Sequence, residues 1–239
     1  MQIRRGYALG GVATGAFGTV PGLMLLPYLT ERLGVAAALA GVVVFLPKAW
    51  DVVLNPIAGR ISDRSTHPAG PRRPFLLRAG LALAGCFALL FAGPAQPQAL
   101  ATAWVVVAFL ACATAYAFFQ VPYVAMPAEL TDDPAERTRI MSWRVAVLAV
   151  AILVSGGLAP MVRNAVGPER GYAAMGVFVA VLIAGGALGA WWGTRHAPVR
   201  AVAAGAGGLR EQLGLVAGNR AFRTLLTTFV VQALATGAM

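Results

Sequence analysis

Charge is scarce in this sequence. Only 12% of its 239 residues are charged, whereas 59% are hydrophobic. A soluble globular domain carries about 25% charged residues, so this chain has too little polar surface for a water-soluble monomer. The same composition excludes a disordered chain and a nucleic-acid-binding arm, despite the net charge of +10. We therefore expect a protein with several transmembrane helices and no nucleic-acid partner.

Cysteine, histidine and catalytic motifs are also sparse. The two cysteines, Cys86 and Cys112, lie in apolar runs without a neighbouring cysteine or histidine, which favours small core residues over a disulfide or a metal site. The sequence contains no HExxH motif, no phosphate-binding glycine-rich loop and no nucleophile elbow. We therefore expect neither an enzyme nor an organic cofactor.

Long hydrophobic runs dominate the sequence. One helix needs about 20 apolar residues to cross about 30 Å of hydrocarbon. Runs suited to this occupy residues 7–29, 35–58, 75–92, 99–126, 145–162 and 172–192, and a seventh begins near Phe222 and is still apolar at Met239. The pattern predicts an all-α polytopic membrane protein. Its predicted parts are a six-helix N-terminal bundle over 1–194, a polar linker over 195–219 and the start of a seventh span over 220–239.

The basic residues are distributed unevenly between the two sides of the predicted membrane. With a cytoplasmic N-terminus, the spans place fifteen arginines on the cytoplasmic side. The other side holds three, Arg32, Arg163 and Arg170. Cytoplasmic loops of membrane proteins carry an excess of Lys and Arg. We therefore predict a multi-pass protein of the plasma or inner membrane, surrounded by lipid, with its N-terminus in the cytoplasm.

The second span carries ionisable groups within an apolar run. Lys48, Asp51 and Asn55 are spaced to share one helix face, and Lys48 and Asp51 are one turn apart. Proline at 47 and 56 also frees backbone carbonyls one turn earlier. Charged residues inside a span are costly and mark functional sites by default. The pattern favours a cation or proton site, with a buried pair that joins two helices as the alternative.

A charged segment follows the second span. It contains Arg60, Asp63 and Arg64 in a turn-rich connection to the third span. An acid flanked by arginines between two spans suits a conformational clasp that forms and breaks during a cycle. The alternative is a solvated run of charges without a specific function.

The fourth and fifth spans supply polar side chains that suit a ligand. Tyr116, Gln120 and Tyr123 lie on one predicted helix face and can hydrogen-bond or stack on a solute. The alternative is an ordinary core or an interfacial aromatic belt. Arg144 begins the fifth span and either extends to the membrane surface or reaches inward to a substrate.

Two local patterns predict helix packing and a helix start. Gly11, Gly15, Gly18 and Gly22 form a stripe along the first span, and small residues let helices approach closely. The alternative is an opening for a substrate. Asp133, followed by proline and a glutamate at the third helical position, is typical of a helix N-terminus. We therefore expect a short cytoplasmic helix that leads to the fifth span.

Three separated motifs give the chain a family resemblance. They occupy residues 48–64, residues 120–131 with their continuation to 144, and residues 209–223. Together they resemble the signatures of the glycoside–pentoside–hexuronide:cation symporters, the melibiose-carrier-like branch of the major facilitator superfamily. The resemblance covers most of the chain in order and implies a twelve-helix carrier of two six-helix bundles that works by alternating access.

The resemblance also implies functions for individual residues. It assigns coupling to H⁺ or Na⁺ to the second span, with Asp51 as the first acid, Asn55 at the position of the second and Lys48 nearby. Asp51 and Asn55 are then the candidate ligands of a Na⁺ ion. The implied substrate is a sugar or related small solute, and the candidate contacts that the resemblance implies are Tyr116, Gln120 and Arg144. Helical spacing adds Tyr123 to these candidates.

Other functions remain open at this level. Some relatives carry lysolipids, and a scaffold or receptor subunit built on the same bundle is an alternative of a different class. A twelve-helix carrier needs a second bundle to complete its substrate cavity. We therefore expect this chain either to be a fragment or to associate with a missing C-terminal bundle.

Overall fold

The computed structural model describes residues 2–68 and 70–197, together with Thr224 and Thr228. Helices account for nearly all of this part of the chain, and it contains no β-strand. The α-helices are α1 (Gln2–Ala8), α2 (Gly10–Pro27), α3 (Ala37–Asp63), α4 (Arg73–Leu90), α5 (Gln98–Ala125), α6 (Pro127–Leu130), α7 (Pro134–Val166) and α8 (Gly171–Thr194), and a π-helical turn, Tyr28–Arg32, follows α2.

Among the described residues, six helical segments are long and apolar enough to cross a membrane. They are Ile3–Arg32, Ala37–Asp63, Arg73–Leu90, Gln98–Leu130, Pro134–Val166 and Gly171–Thr194. This result confirms the all-α membrane fold expected from the sequence. The six segments lie within the predicted bundle, 1–194. The predicted linker and seventh span lie outside the described residues, apart from 195–197, Thr224 and Thr228.

Two helices are longer than the hydrophobic runs that predicted them. α3 continues five residues past Ala58 to Asp63, so the predicted loop carrying Arg60 and Asp63 is helical, and Arg64 is its C-cap. The expectation of a loop there was wrong because a helix can extend beyond the hydrocarbon, where charged side chains are solvated. α7 begins as predicted, with Asp133 Oδ1 accepting a hydrogen bond from the Ala135 amide at 2.9 Å. It then continues into the fifth span without a break.

Small residues set the closest helix contacts. A Cβ atom added to Gly6 would lie 2.4 Å from the Cα of Gly193, so α1 and α8 touch through their backbones. A Cβ atom on Gly80 of α4 would lie 2.3 Å from the Cβ of Ala187 on α8. Neither position has room for a larger side chain, which agrees with the preference for small residues at helix interfaces in membranes.

Burial is unequal among the six spans. In the most apolar window of the first span, 61% of the residues are buried inside the structure, against 17% in the windows of α3 and α7. α3 packs mainly on α5, and α7 packs on α2 and α8. Large apolar side chains are therefore left on the outer faces of both helices, for example Phe45, Val52, Val150 and Leu153.

The bundle has two distinct ends. One end carries the N-terminus, the connections 64–72 and 126–133, and residues 195–197, and we call it the arginine-rich end. The other end carries the connections 33–36, 91–97 and 167–170, and we call it the short-loop end. The candidate site lies between the two ends.

Candidate functional site

A cavity of about 160 Å³ opens between α2, α3 and α5. Most of its wall is apolar, but Lys48 and Asp51 of α3 and Tyr116 of α5 contribute polar groups. The remaining lining residues are Phe17, Gly18, Pro21, Gly22, Val44, Pro47, Phe109 and Ala113. The structure thus brings together one acid, one base and one phenol among residues of the predicted site.

Asp51 is the carboxylate of this cavity. Its Oδ1 atom is buried and has no hydrogen-bond partner among the described residues. The described structure contains no ion pair between Asp51 and Lys48, although both side chains line the same cavity. The position of this part of α3 is fixed by its neighbour Trp50, whose indole N–H donates to Thr114 Oγ1 of α5 at 3.1 Å. A carboxylate is therefore held at the cavity without a protein partner.

Asn55 lies apart from the cavity lining. It is one turn further along α3 than Asp51, its side chain is exposed, and it makes no hydrogen bond within the described part of the chain. The described residues also contain no group of three His, Cys, Asp or Glu side chains that could hold a metal ion. Asp51 suits a bound cation, whereas a two-residue Na⁺ site with Asn55 stays a prediction.

The four glycines along the first span have two different roles, helix packing and cavity lining. A Cβ atom on Gly11 would lie 3.0 Å from the carbonyl oxygen of Arg144, and one on Gly15 would lie 2.8 Å from the Cβ of Ala151. These two glycines let α7 pack closely on α2. Nothing lies within 4 Å of a Cβ on Gly18 or Gly22, and both of them line the cavity. The same stripe therefore packs one helix and leaves the cavity open.

Tyr116 and Gln120 occupy consecutive turns of α5 on the side of α2. The Tyr116 ring packs at a tilt on Phe17, with 4.6 Å between ring centroids, and it lines the cavity. Gln120 Oε1 accepts a hydrogen bond from Thr14 Oγ1 of α2 at 3.0 Å. No protein acceptor contacts the amide NH₂ of Gln120 within the described ranges. Both N–H groups of the Gln120 amide thus remain available to donate hydrogen bonds to a solute.

The Tyr123 side chain forms hydrogen bonds and a ring contact within the protein. Its hydroxyl donates to the carbonyl oxygen of Tyr7 at 2.9 Å, and the Tyr7 hydroxyl donates back to the carbonyl oxygen of Tyr123 at 2.8 Å. The two rings stack with centroids 4.6 Å apart, and both side chains are fully buried. The structure thus places Tyr123 in the core and not in the cavity lining, and its predicted contact with a substrate stays untested.

Arg144 points into the bundle. Its guanidinium lies over the Tyr123 ring, 5.1 Å from the centroid, and its Nε atom is buried without a hydrogen-bond partner. Of the two orientations considered from the sequence, the structure has the inward one. No carboxylate of the described residues lies within ion-pair distance of Arg144.

The predicted clasp residues do not act as a group in this structure. Asp63 pairs with Arg72 at 2.8 Å, whereas Arg60 and Arg64 are exposed and form no ion pair in the described structure. Arg72 also contacts Glu129 Oε1 at 3.1 Å and donates to the carbonyl oxygen of Ala125 at 2.8 Å. This ion-paired group connects α3, α4 and α6. Sequence reasoning missed Arg72 and Glu129, although an acid within the apolar stretch 121–130 was the available signal.

The six membrane-length helices of the described residues define an integral, multi-pass membrane protein. The profile of the family described as MFS/sugar transport protein matches residues 6–239. The chain therefore belongs to this family, whose members are transporters and not enzymes.

Curated relatives agree with this assignment. The chain is 29% identical over 185 residues to the putative glycoside/cation symporter YagG of Escherichia coli, covering 77% of this chain and 40% of the relative. It is 30% identical over 193 residues to the uncharacterized symporter sll1374 of Synechocystis, covering 74% and 34%. It is 28% identical over 167 residues to the glucuronide carrier protein homolog of Escherichia coli, covering 69% and 36%. The chain thus spans well under half the length of the relatives it matches.

Proposed function

We propose that this chain supplies the cation-binding half of a secondary transporter that carries a sugar or related small solute together with H⁺ or Na⁺. The observation that carries the proposal is the Asp51 carboxylate, which is held at the cavity without a protein partner. A charged group inside a span is costly, and binding a proton or Na⁺ neutralises it. The names of the relatives, which include glycoside/cation symporter, support the same function.

Lys48 stabilises the Asp51 carboxylate when no coupling ion is bound. An ammonium group on the same cavity wall stabilises the free carboxylate at a distance and competes with a bound cation. Cation release therefore does not leave an isolated negative charge in the bundle. This balance suits a carrier, which has to bind and release its coupling ion in every cycle.

The solute would bind beside this cation site. Tyr116 lines the cavity, Gln120 offers its amide NH₂ one turn away, and Arg144 supplies a positive charge near Tyr123. Hydrogen-bond donors and an aromatic ring suit the hydroxyl groups and apolar faces of a sugar. Because Asp51 and Tyr116 line one cavity, ion and solute occupancy influence each other, which is the physical basis of coupling.

A second six-helix bundle would complete the transporter. The chain matches about 40% of the length of its first relative, and its α3 and α7 have the least buried windows of the six spans. The second bundle would cover part of these apolar faces and close the cavity. Alternating access would then consist of rocking one bundle against the other around the site.

The arginine-rich end would face the cytoplasm. Arg60, Arg64 and Arg72 lie at this end, together with the N-terminus, and Lys and Arg are retained on the cytoplasmic side during insertion. A single cysteine introduced at exposed Thr66 tests this orientation. It should resist a membrane-impermeant thiol reagent in intact cells and react after the membrane is permeabilised. Labelling in intact cells would reverse the proposed orientation.

Uptake measurements test the transport function. Cells that express the complete reading frame containing this chain are given radiolabelled sugars, with and without Na⁺ and with and without a protonophore. Accumulation should depend on one of the two gradients, and Asp51→Asn should abolish that dependence. Glu169→Gln, which changes an exposed acid at the short-loop end, is the matched control. Gradient-driven accumulation that survives Asp51→Asn would refute the proposed coupling, and a failure to move any solute would favour a scaffold or receptor.

A further inference from the structure

Two prolines interrupt the helical hydrogen bonding at the cavity. Pro21 of α2 and Pro47 of α3 lie inside their helices, and both are buried residues of the cavity wall. Proline has no backbone N–H, so it cannot donate to the carbonyl group one helical turn earlier. The carbonyl oxygens of Phe17 and Val43 therefore lack their usual helical donor. Backbone groups freed in this way within a membrane have to be satisfied by other partners.

Helix geometry places these two oxygens beside the cavity. In an α-helix each carbonyl group points along the axis toward the residue one turn later, which here is a proline of the cavity wall. On α2, Gly18 and Gly22 adjoin this position, and a Cβ atom added to either would meet nothing within 4 Å. No side chain therefore blocks the approach to the Phe17 carbonyl oxygen from the cavity.

The other prolines inside the described helices do not share this arrangement. Pro27 and Pro56 lie further along α2 and α3, Pro122 lies in α5 and Pro160 in α7, and none of these four lines the cavity. Among the described residues, prolines of two helices thus meet at one cavity only where the Asp51 carboxylate also lies.

The Asp51 carboxylate by itself is a poor site for a metal cation. Lys48 lies on the same wall and repels a second positive charge. Asn55, the other expected ligand, is exposed and lies outside the cavity lining. Hard cations take several oxygen ligands, and backbone carbonyl groups commonly serve beside carboxylates. Further oxygens for a bound ion therefore have to come from elsewhere in the cavity.

We propose that the cavity binds Na⁺, and that the backbone carbonyl oxygens of Phe17 and Val43 bind the ion together with the Asp51 carboxylate. The carboxylate supplies the negative charge, and the carbonyl groups supply neutral oxygens from two different helices. A proton needs only the carboxylate, so this set of oxygens favours Na⁺ over H⁺ as the coupling ion. The bound ion connects α2 to α3. This inference rests on the proposed function, because it names the coupling ion and its ligands.

Replacement of the two cavity prolines tests the carbonyl ligands. Pro21→Ala and Pro47→Ala each supply an N–H group that occupies the freed carbonyl oxygen. Na⁺ binding to the purified complete transporter is measured by titration calorimetry at constant ionic strength. Each variant should raise the dissociation constant about tenfold, the scale of one lost contact with a charged group, and Asp51→Asn should abolish binding. Pro160→Ala makes the same change away from the cavity and should leave the dissociation constant unchanged.

Two further measurements separate loss of a ligand from a change in the fold. Alanine favours a helix more than proline does, so Pro21→Ala should unfold at the same temperature as the unaltered protein or at a higher one. Gly18→Val keeps Pro21 and fills the open space beside the Phe17 carbonyl, so it should also weaken Na⁺ binding. Full Na⁺ affinity in Gly18→Val, or an equal loss in Pro160→Ala, would overturn the contact with the Phe17 carbonyl. Full affinity in both cavity proline variants would overturn the carbonyl ligands altogether.

The outcomes also separate this inference from the proposed function. An unaltered transporter that binds no Na⁺ but shows Asp51-dependent uptake driven by a proton gradient would overturn the Na⁺ site and keep the symporter. Na⁺ binding that survives Asp51→Asn would overturn the proposed set of ligands. Na⁺ binding with the expected response to the proline variants, but without gradient-driven uptake of any solute, would keep the site and overturn the symporter.

Discussion

Two regions of the bundle that contain charged side chains differ in whether those side chains have partners. At the arginine-rich end, Arg72 forms ion pairs with Asp63 and Glu129 and donates a hydrogen bond to a backbone carbonyl group. At the cavity, by contrast, the Asp51 carboxylate has no ion-pair partner among the described residues, and nearby on α7 Arg144 has none either. Both regions consist of charged side chains in an apolar bundle, so the difference lies in the available partners and not in composition.

Paired charges stabilise the bundle, whereas unpaired charges are available to bind a ligand. Removing one member of a buried ion pair leaves the other charge uncompensated, which costs about 3–5 kcal/mol. An unpaired charge has already incurred its desolvation cost, so its removal does not weaken the fold. Stability should therefore be sensitive at the arginine-rich end and insensitive at the cavity, and transport activity should show the reverse pattern.

The largest expected effect on stability belongs to Arg72→Ala. Its side chain is 10% exposed and that of Glu129 is 6% exposed, so the change removes the ion-pair partner of a buried carboxylate. We expect the free energy of unfolding in detergent to fall by about 3–5 kcal/mol. Arg64→Ala, at an exposed arginine, is the control and should change little. The double variant Arg72→Ala/Glu129→Leu should recover part of the loss, and no recovery would mean that Arg72 acts through packing alone.

Asp51→Asn should give the opposite pattern. The amide has nearly the same shape as the carboxylate but no charge, so the desolvation of an unpaired anion is removed. We expect the midpoint of thermal unfolding to stay the same or to rise, while gradient-dependent uptake is lost. Circular dichroism in detergent and vesicle uptake provide the two readings. A lower midpoint would mean that Asp51 has a structural partner and that the two regions are alike.

The sequence predicts the frame of the molecule better than its polar contacts. The hydrophobic runs locate six spans, and the Asp133 cap locates the start of α7, because both signals are local in sequence. The cost of an acid within a span marks Asp51 as a functional candidate, whereas the cavity beside it depends on how α2, α3 and α5 pack. The pairing of Arg72 with Glu129 does not follow, because it depends on how α4 and α6 pack in three dimensions.

Tyr123 illustrates the same limit within one helix. Helical spacing predicts one face of α5 for Tyr116, Gln120 and Tyr123, and α5 spans all three residues. Spacing alone does not reveal that α1 brings the Tyr7 hydroxyl to the Tyr123 backbone and buries both rings. The hydrogen-bond partners of a side chain in a membrane bundle lie on other helices. The sequence pattern of a single helix therefore does not reveal them.

A smaller effect is expected for Tyr7→Phe, which weakens the support under Arg144. The change removes the hydrogen bond to the Tyr123 carbonyl, and we expect a loss of about 1 kcal/mol in the free energy of unfolding. Tyr172→Phe is the matched control, because the Tyr172 hydroxyl is buried without a partner among the described residues. That change should be neutral or stabilising. Equal losses at the two positions would show that the hydroxyl–carbonyl bond contributes nothing beyond ring packing.

The smallest effect should come from Arg4→Gln. Arg4 and Glu136 form a two-bond ion pair, but unlike those of Arg72 and Glu129 their side chains remain 28% and 24% exposed. Water and salt screen such a pair, and water solvates the Glu136 carboxylate once the positive charge at position 4 is gone. We expect almost no change in the midpoint of thermal unfolding, and none in high salt. A loss as large as that of Arg72→Ala would mean that pairing itself, and not burial, distinguishes the arginine-rich end from the cavity.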